Sequence, residues 1–171
     1  MKILDIGCGK KKRNGAVGID FHPETDADII HDLNKLPYPF SDNEFDMIIG
    51  DNVIEHLTNP LKVMEEIHRI AKPDAIVKIM VPHFSSCGAF FDLTHKSFFS
   101  IRSFDIFLEG GPFPYYTKAR FRLLKSKIHF GRLYRLLGIE FIANRSPLFY
   151  ETHLAFIFQA FQLYFELRVM K

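Results

Sequence analysis

The stretch that decides the fold is Ile3-Leu4-Asp5-Ile6-Gly7-Cys8-Gly9, followed closely by Ala16-Val17-Gly18-Ile19-Asp20. Each contains a short apolar run that is typical of a buried parallel strand. The first run enters a glycine turn, where the lack of a Cβ lets the backbone approach a ligand closely. The second run ends in a carboxylate, which can accept hydrogen bonds from both hydroxyls of a ribose. Strand, turn and terminal acid together predict a nucleoside-binding site.

The residues of the turn indicate which nucleoside fits. A dinucleotide site needs a third glycine that opens a helix, because the helix N-terminus meets the pyrophosphate. This sequence has Lys12 there, and it has no GK[ST] phosphate loop. Asp5 would repel a phosphate and favours a positively charged ligand. These features favour S-adenosylmethionine, which carries an ammonium and a sulfonium. The alternative is that Gly7 and Gly9 form a tight turn without a ligand.

Length and composition limit the class of protein. At 171 residues with 47% hydrophobic content, we expect one domain over residues 1–171. A net charge of +2 gives no global nucleic-acid signature. Cys8 and Cys87 form neither a disulfide framework nor a metal-ligand spacing, so we expect a cytoplasmic protein without a metal. No signal peptide or long apolar run occurs, and we expect no membrane-spanning segment.

Further elements follow along the chain. Apolar runs predict strands over 27–32, 45–50 and 75–81. A helix is predicted over 60–71, with Asn59 as N-cap and Pro60 in the first turn. A helix between strands argues for an open parallel sheet, which binds ligands at the carboxyl ends of its strands. Four acids lie at or just inside such ends: Asp5, Asp20, Asp32 and Asp51.

Five segments, in order, carry a resemblance to a known family: ILDIGCG, GID, HDLNKLPYPFSDNEFD, DNVIEHL and EEIHRIAKPDA. Over residues 3–82 the sequence resembles the class I S-adenosylmethionine-dependent methyltransferases, in particular their small type 11-like group. The resemblance implies an α/β, Rossmann-like fold with a mostly parallel seven-stranded sheet. Residues 121–130 and 162–170 would be its last two strands, the final one antiparallel. Residues 1–82 would be the cofactor-binding half, and residues 83–171 the substrate side with the C-terminal strands.

The same resemblance implies roles for individual residues in binding S-adenosylmethionine. The turn residues Asp5, Gly7 and Gly9 would line the methionine end of the cofactor. Asp20, after the second strand, would hold the ribose. Asp32 and the Leu33 backbone, after the third strand, would bind the adenine. Asp51 and Asn52, after the fourth strand, would close the site. The implied cofactor-binding residues are Asp5, Gly7, Cys8, Gly9, Asp20, Phe21, Asp32, Leu33, Asp51 and Asn52.

Two departures from the family concern helices. The sequence starts at the first strand, so we expect the usual N-terminal helix to be absent. The connections from Gly9 to Ala16 and from Phe21 to Asp26 are too short for crossover helices. One sheet face should therefore have reduced helical cover, although an apolar face does not stay exposed to water. Either residues 131–159 or a second subunit, in a homodimer, would cover it.

Candidate catalytic residues follow the fifth strand. Methyl transfer from a sulfonium is an in-line displacement in which alignment supplies most of the acceleration, so no nucleophile or metal is required. A base helps if the acceptor is a hydroxyl, and the candidates are His83 and His95 with Asp92. Each histidine alone could instead be structural. The pair Glu55-His56 also suggests acid–base or metal chemistry, but we favour a structural role for it.

The stretch from Phe84 to Phe113 is rich in phenylalanine. Such rings could form an apolar lid over an aromatic or acyl acceptor, with one ring near the sulfonium. They could equally be core residues, many of them on a helix around Ser97–Leu108. We expect most of these rings to belong to the core.

Between residues 110 and 139 there is no acid, whereas basic residues recur from Lys118 to Arg135. This pattern suits a phosphorylated, nucleic-acid or membrane-surface substrate, or an edge strand protected against aggregation. We therefore expect a methyltransferase acting on an O or N atom of a small-molecule or lipid-like acceptor. The alternatives are an RNA-directed methyltransferase that uses residues 118–135, with nucleic acid the less favoured partner, and a non-catalytic cofactor-binding partner subunit.

Overall fold

In the computed structural model, which describes residues 1–171, the chain forms one seven-stranded mixed sheet. The order across the sheet is β3-β2-β1-β4-β5-β7-β6. The first five strands are parallel, and β7 runs antiparallel to both of its neighbours. The predicted fold class is confirmed, although the third strand is shorter than expected. The strands are β1 (Ile3–Ile6), β2 (Ala16–Asp20), β3 (Ile29–Ile30), β4 (Phe45–Asp51), β5 (Ala71–Pro82), β6 (Arg120–His129) and β7 (Gln162–Met170).

Helices are few, and most are short. The predicted long helix is confirmed as α1 (Pro60–Ile70), and the Asn59 side chain accepts a hydrogen bond of 3.1 Å from the Lys62 amide. Three more helices follow β6, and the last continues as a π-helical turn over Tyr150–Leu154. No helix is both long enough and apolar enough to cross a membrane. The later helices are α2 (Arg132–Leu136), α3 (Ile139–Arg145) and α4 (Pro147–Phe149).

One face of the sheet supplies the core. Along β7, Leu163, Phe165 and Leu167 are buried, and they lie opposite Val81, Ile79 and Val77 of β5. The apolar stripe of α1 joins the same cluster of 34 buried residues. Because side chains alternate across a strand, the residues between them point to the opposite face.

The opposite face of the sheet differs from two expectations. It is not simply apolar, since Lys78, Glu166 and Arg168 lie on it half-exposed. Residues 131–159 do not cover it. They pack at the outer edge of β6, where the Asn144 side chain bridges the Ile128 amide and carbonyl at 2.9 and 2.8 Å. The expected shortage of helices is confirmed, and a mixed polar surface explains how this face stays exposed to water.

The prediction of a helix around Ser97–Leu108 is wrong. The segment consists of turns with a short 3-10 helix over Asp105–Phe107, and Phe99 pairs with His83 at the end of β5. Phe99, Phe104 and Phe107 are buried in the core, whereas other rings of the phenylalanine-rich stretch are exposed. With Phe84, which packs partly buried against the core, half of the eight rings belong to the core rather than most of them, and a lid over the acceptor stays a prediction. The exposed rings are Phe90, Phe91, Phe98 and Phe113.

Candidate functional site

A cavity of about 620 Å³ opens at the carboxyl ends of β1, β2 and β4. This is the edge at which open parallel sheets bind ligands. Six of the ten residues expected to bind a cofactor line it, together with residues from two later loops. The lining residues are Gly7, Asp20, Phe21, Asp32, Leu33, Asn34, Asn52, Val53, His56, Leu57, Leu93, Thr94 and Lys96.

Gly7 is required by the shape of the turn. Its φ is +63°, and a Cβ added there would lie 2.4 Å from Val53 Cγ2. Any larger residue would therefore be strained and would push Val53 into the cavity. Asn52 also has a positive φ, of +52°, at the end of β4. Glycine adopts such a φ without strain, whereas for Asn52 it is costly, and strain of this kind concentrates at ligand sites. Both residues line the cavity.

Asp20 is held in place by the backbone around it. It is 7% exposed, and its two carboxylate oxygens accept hydrogen bonds from the Gly9 amide at 3.0 Å and the His22 amide at 3.1 Å. The carboxylate is thus oriented at the tip of β2, with further lone pairs available to a ligand. Phe21, 69% exposed, lies directly beside it on the cavity wall.

Asp32 and Leu33 form the neighbouring wall. Asp32 Oδ1 accepts hydrogen bonds from the Asn34 amide and side chain, and these bonds lower the pKa of Asp32. Leu33 is buried, and its carbonyl accepts a hydrogen bond of 3.0 Å from the Tyr38 hydroxyl. The segment after β3 is therefore ordered by its own hydrogen bonds although β3 has two residues.

Four expected cofactor-binding residues lie outside the lining of this cavity: Asp5, Cys8, Gly9 and Asp51. Arg13 connects two of them. Its amide donates to Asp5 Oδ2 at 2.9 Å, and its guanidinium forms an ion pair with Asp51. Burial raises the pKa of Asp5, and the hydrogen bond from Arg13 opposes that rise. The Arg13 guanidinium thus lies on Asp51, while Asp5 is held by the Arg13 backbone amide, and the preference of Asp5 for a positively charged ligand stays a prediction.

His83, expected as a base, is fully buried and does not line the cavity. The Ser85 amide donates to His83 Nδ1 at 3.0 Å, so the ring proton lies on Nε2 and faces Glu151 Oε1 at 3.2 Å. The same Glu151 oxygen accepts the Ile101 amide at 2.6 Å. His83 therefore ties together the end of β5, the loop after Phe99 and the C-terminal segment.

Asp92 and His95, both expected to act in catalysis, lie close together beside the cavity. His95 Nε2 is 3.9 Å from Asp92 Oδ2, and the His95 ring packs against His56 with ring centroids 4.6 Å apart. His56 itself lines the cavity, as do Thr94 and Lys96 on either side of His95. Sequence reasoning noted His56 but gave it a structural role, since nothing in the sequence links it to His95.

Glu55 is the other residue whose importance the sequence did not indicate. It is 1% exposed, and neither carboxylate oxygen has a hydrogen-bond partner. Burial raises the pKa of Glu55 to about 7, with a smaller opposing contribution from His95. A buried polar group without a partner is uncommon, and it points to a role beyond packing.

Comparison with known proteins agrees with this geometry. Residues 4–79 match the family described as Methyltransferase domain. Among curated protein sequences, no relative matches this chain.

Several solved structures share the fold at low sequence identity. An S-adenosylmethionine-dependent methyltransferase from Archaeoglobus fulgidus aligns at 16% identity and a TM-score of 0.64, covering 98% of this chain and 85% of that one. A second, from Aquifex aeolicus, aligns at 16% identity and a TM-score of 0.55, covering 99% and 82%. A third structure is a complex between the Haloferax volcanii Trm112 methyltransferase activator and a methyltransferase. It aligns at 16% identity and a TM-score of 0.61, covering 99% and 83%.

Proposed function

We propose that this chain, a class I S-adenosylmethionine-dependent methyltransferase of the type 11 group, methylates an oxygen or nitrogen atom of a small-molecule or lipid-like acceptor, and of these we favour a lipid-like one. Its cofactor is S-adenosylmethionine. The observation that carries the acceptor proposal is a set of exposed apolar side chains in the second half of the chain, which in helix α2 alternate with arginines.

We assign the nucleoside of the cofactor to the cavity at the tips of β2 and β3. Asp20 accepts the ribose hydroxyls, and Asp32 with the Leu33 backbone binds the adenine. The support is that all three residues line one cavity, with both carboxylates oriented by hydrogen bonds.

The methionine end extends along the glycine turn toward Asn52. There the cofactor's ammonium competes with the Arg13 guanidinium for Asp51, because both cations favour the same carboxylate. In the reaction the acceptor atom attacks the methyl carbon, the carbon–sulfur bond breaks, and sulfur keeps the electron pair. Alignment of the two reactants supplies most of the acceleration.

Helix α2 and its C-cap carry three of these exposed apolar side chains. Leu133, Leu136 and Leu137 are 66%, 77% and 61% exposed, and the spacing of three and four residues places them on one face. Arg132 and Arg135 are exposed in the same helix, which buries no residue at all. Apolar side chains beside basic ones are typical of a surface that binds an anionic membrane.

Further exposed apolar residues lie next to the cavity wall. Phe161 is 57% exposed, and the side chain of the adjacent Gln162 donates to Oδ1 of Asn52, a cavity residue, at 2.9 Å. On the other side, Phe91 and Leu93 are 78% and 97% exposed. An acceptor with an acyl or prenyl chain would keep that chain on apolar surface while its head reached the methyl group.

Two measurements test the proposal. The first is sedimentation with vesicles of phosphatidylcholine alone or mixed with phosphatidylglycerol. We expect binding to the anionic vesicles, with loss of about tenfold in Leu136→Ser/Leu137→Ser and little change in Leu123→Ser/Leu124→Ser, a second pair of adjacent exposed leucines.

The second is transfer of labelled methyl groups to one phenolic or amino head, offered with and without an acyl chain. Faster transfer to the acylated acceptor in anionic vesicles supports the proposal. Equal rates for both acceptors, with no vesicle binding, would refute the lipid-like assignment while leaving methyl transfer intact.

An RNA acceptor is the second candidate, because basic residues recur on the open sheet face. Arg122 lies directly opposite Arg168, and Lys125 lies opposite Glu166 on the same face. Anisotropy with a short labelled RNA at about 50 and 200 mM salt tests this function. Salt-sensitive binding that Arg122→Ala/Lys125→Ala abolishes, while Lys10→Ala/Lys11→Ala does not, would favour it.

A further inference from the structure

Three side chains that the methyl-transfer scheme leaves unused meet beside the cavity. Glu55, His56 and His95 each present a donor atom, and these three atoms lie within 4.8 Å of one another. The backbone fixes the meeting, because the Lys96 and Ser97 amides both donate to the Glu55 carbonyl, at 2.7 and 3.2 Å. The loop after Asp92 is thereby held against the turn that follows β4.

Hydrogen bonds leave the same nitrogen of each imidazole free. His95 Nδ1 lies 3.0 Å from the Ala89 carbonyl, which can only accept, so the His95 proton is on Nδ1. The Thr94 hydroxyl donates to Asp92 Oδ1 at 2.7 Å and therefore accepts from His56 Nδ1 at 2.8 Å. Both Nε2 atoms consequently keep their lone pairs, and a hydrogen bond on the second nitrogen is the usual support of a metal-binding histidine.

The third donor is a carboxylate with nothing to bind. Glu55 is 1% exposed, with both oxygens unpartnered. Removing such a group from water is costly unless a cation or hydrogen-bond donors replace the lost hydration. A cation between Glu55 and the two Nε2 atoms would satisfy it.

We propose that Glu55, His56 and His95 bind a divalent first-row transition metal such as Zn²⁺ or Co²⁺. Two imidazoles and one carboxylate form the ligand set of many catalytic sites, in which a further position stays open. Metal–ligand bonds of about 2.0–2.1 Å place tetrahedral donors roughly 3.3 Å apart, so binding draws the three side chains together by rotation. Asp92 Oδ2, 3.9 Å from His95 Nε2, is near enough to supply a further oxygen.

The open position faces the methyl acceptor, since His56, Thr94 and Lys96 line the cofactor cavity. This role of the open position rests on the proposed function, and it restricts the acceptor atom to oxygen. The metal binds the acceptor hydroxyl and lowers its pKa, and the proton leaves to solvent. The oxygen then attacks the methyl carbon, giving a methyl ether and neutral S-adenosylhomocysteine.

Metal binding is testable without cofactor or acceptor. The chelator-treated full chain is titrated calorimetrically with Zn²⁺, and with Co²⁺ while its visible absorption is recorded. We expect one ion per chain and a Co²⁺ spectrum without a thiolate band. Affinity should fall at least about tenfold in Glu55→Gln and His95→Ala. The matched controls are Glu24→Gln and His153→Ala, both at exposed positions outside the cluster.

Each outcome decides the question. Stoichiometric binding that the cluster variants lose and the controls keep supports the site. No binding by the wild-type chain, or equal binding by Glu55→Gln, overturns it and leaves Glu55 as a protonated buried acid. Titration with S-adenosylhomocysteine separates the two proposals. Cofactor binding without metal binding refutes the metal site alone, whereas metal binding without cofactor binding refutes the proposed function alone.

Discussion

Residues 1–82 and 83–171 meet at one cavity but are built differently. The first region supplies the five parallel strands and α1, which buries five of its residues. The second supplies two antiparallel strands and three short helices, of which α2 buries none. The first region thus presents fixed carboxylates to the cavity. The second leaves apolar side chains exposed, which is how a protein contacts an acceptor or a surface that it meets only transiently.

The largest contrast concerns the two thiols, one in each region. Cys8 is buried, and burial, with Asp5 and Asp20 nearby, raises its pKa to about 11, whereas Cys87 is exposed. Since the thiolate is the reactive form, iodoacetamide at pH 8 should modify Cys87 at least about a hundredfold faster than Cys8. Mass spectrometry of the timed reaction checks this, with urea-unfolded protein as the control. Equal rates in the folded chain would mean that the glycine turn opens readily.

The second contrast lies within the glycine turn. Gly7 and Gly9 have φ values of +63° and +55°, but only Gly7 has a neighbour that an added Cβ would strike. Gly9→Ala should lower the free energy of unfolding by about 1 kcal/mol through backbone strain alone. Gly7→Ala should lower it by about 3 kcal/mol, because overpacking against Val53 is added. Urea unfolding measures both, and equal losses would show that the contact with Val53 relaxes freely.

The third prediction separates structure from catalysis in the second region. His83→Ala removes one hydrogen-bond partner from each of the Glu151 and Ser85 side chains and leaves a cavity at a fully buried position, so the free energy of unfolding should fall by about 2 kcal/mol. Affinity for S-adenosylhomocysteine should stay within about threefold of the wild type, since His83 does not line the cavity. Unchanged stability with methyl transfer abolished would instead restore His83 as the base.

The first region was predictable because its signals are local. An apolar run, a positive-φ glycine and a terminal acid specify β1, the turn and Asp20 within twenty residues. The N-cap at Asn59 and the stripe of α1 are local in the same sense. Parallel strands then carry these residues to one edge of the sheet, so the cavity follows from the pattern of the sequence.

The second region was less predictable because its contacts join distant parts of the chain. The His56–His95 contact and the His83–Glu151 bond depend on how loops fold over the sheet. No periodicity records such pairings. The helix expected at Ser97–Leu108 failed for a related reason, since packing of Phe99, Phe104 and Phe107 against the core overrides a weak helical spacing.

The central claim is that the Asp20 carboxylate binds the ribose of the cofactor, and calorimetric titration with S-adenosylhomocysteine tests it most directly. The wild-type chain should bind one molecule. Asp20→Ala should bind at least about tenfold more weakly, because hydrogen bonds to a buried carboxylate are lost. Asp26→Ala, an exposed acid nearby, should bind as the wild type does. Equal affinity of Asp20→Ala and the wild type, with both proteins folded, would contradict the assignment.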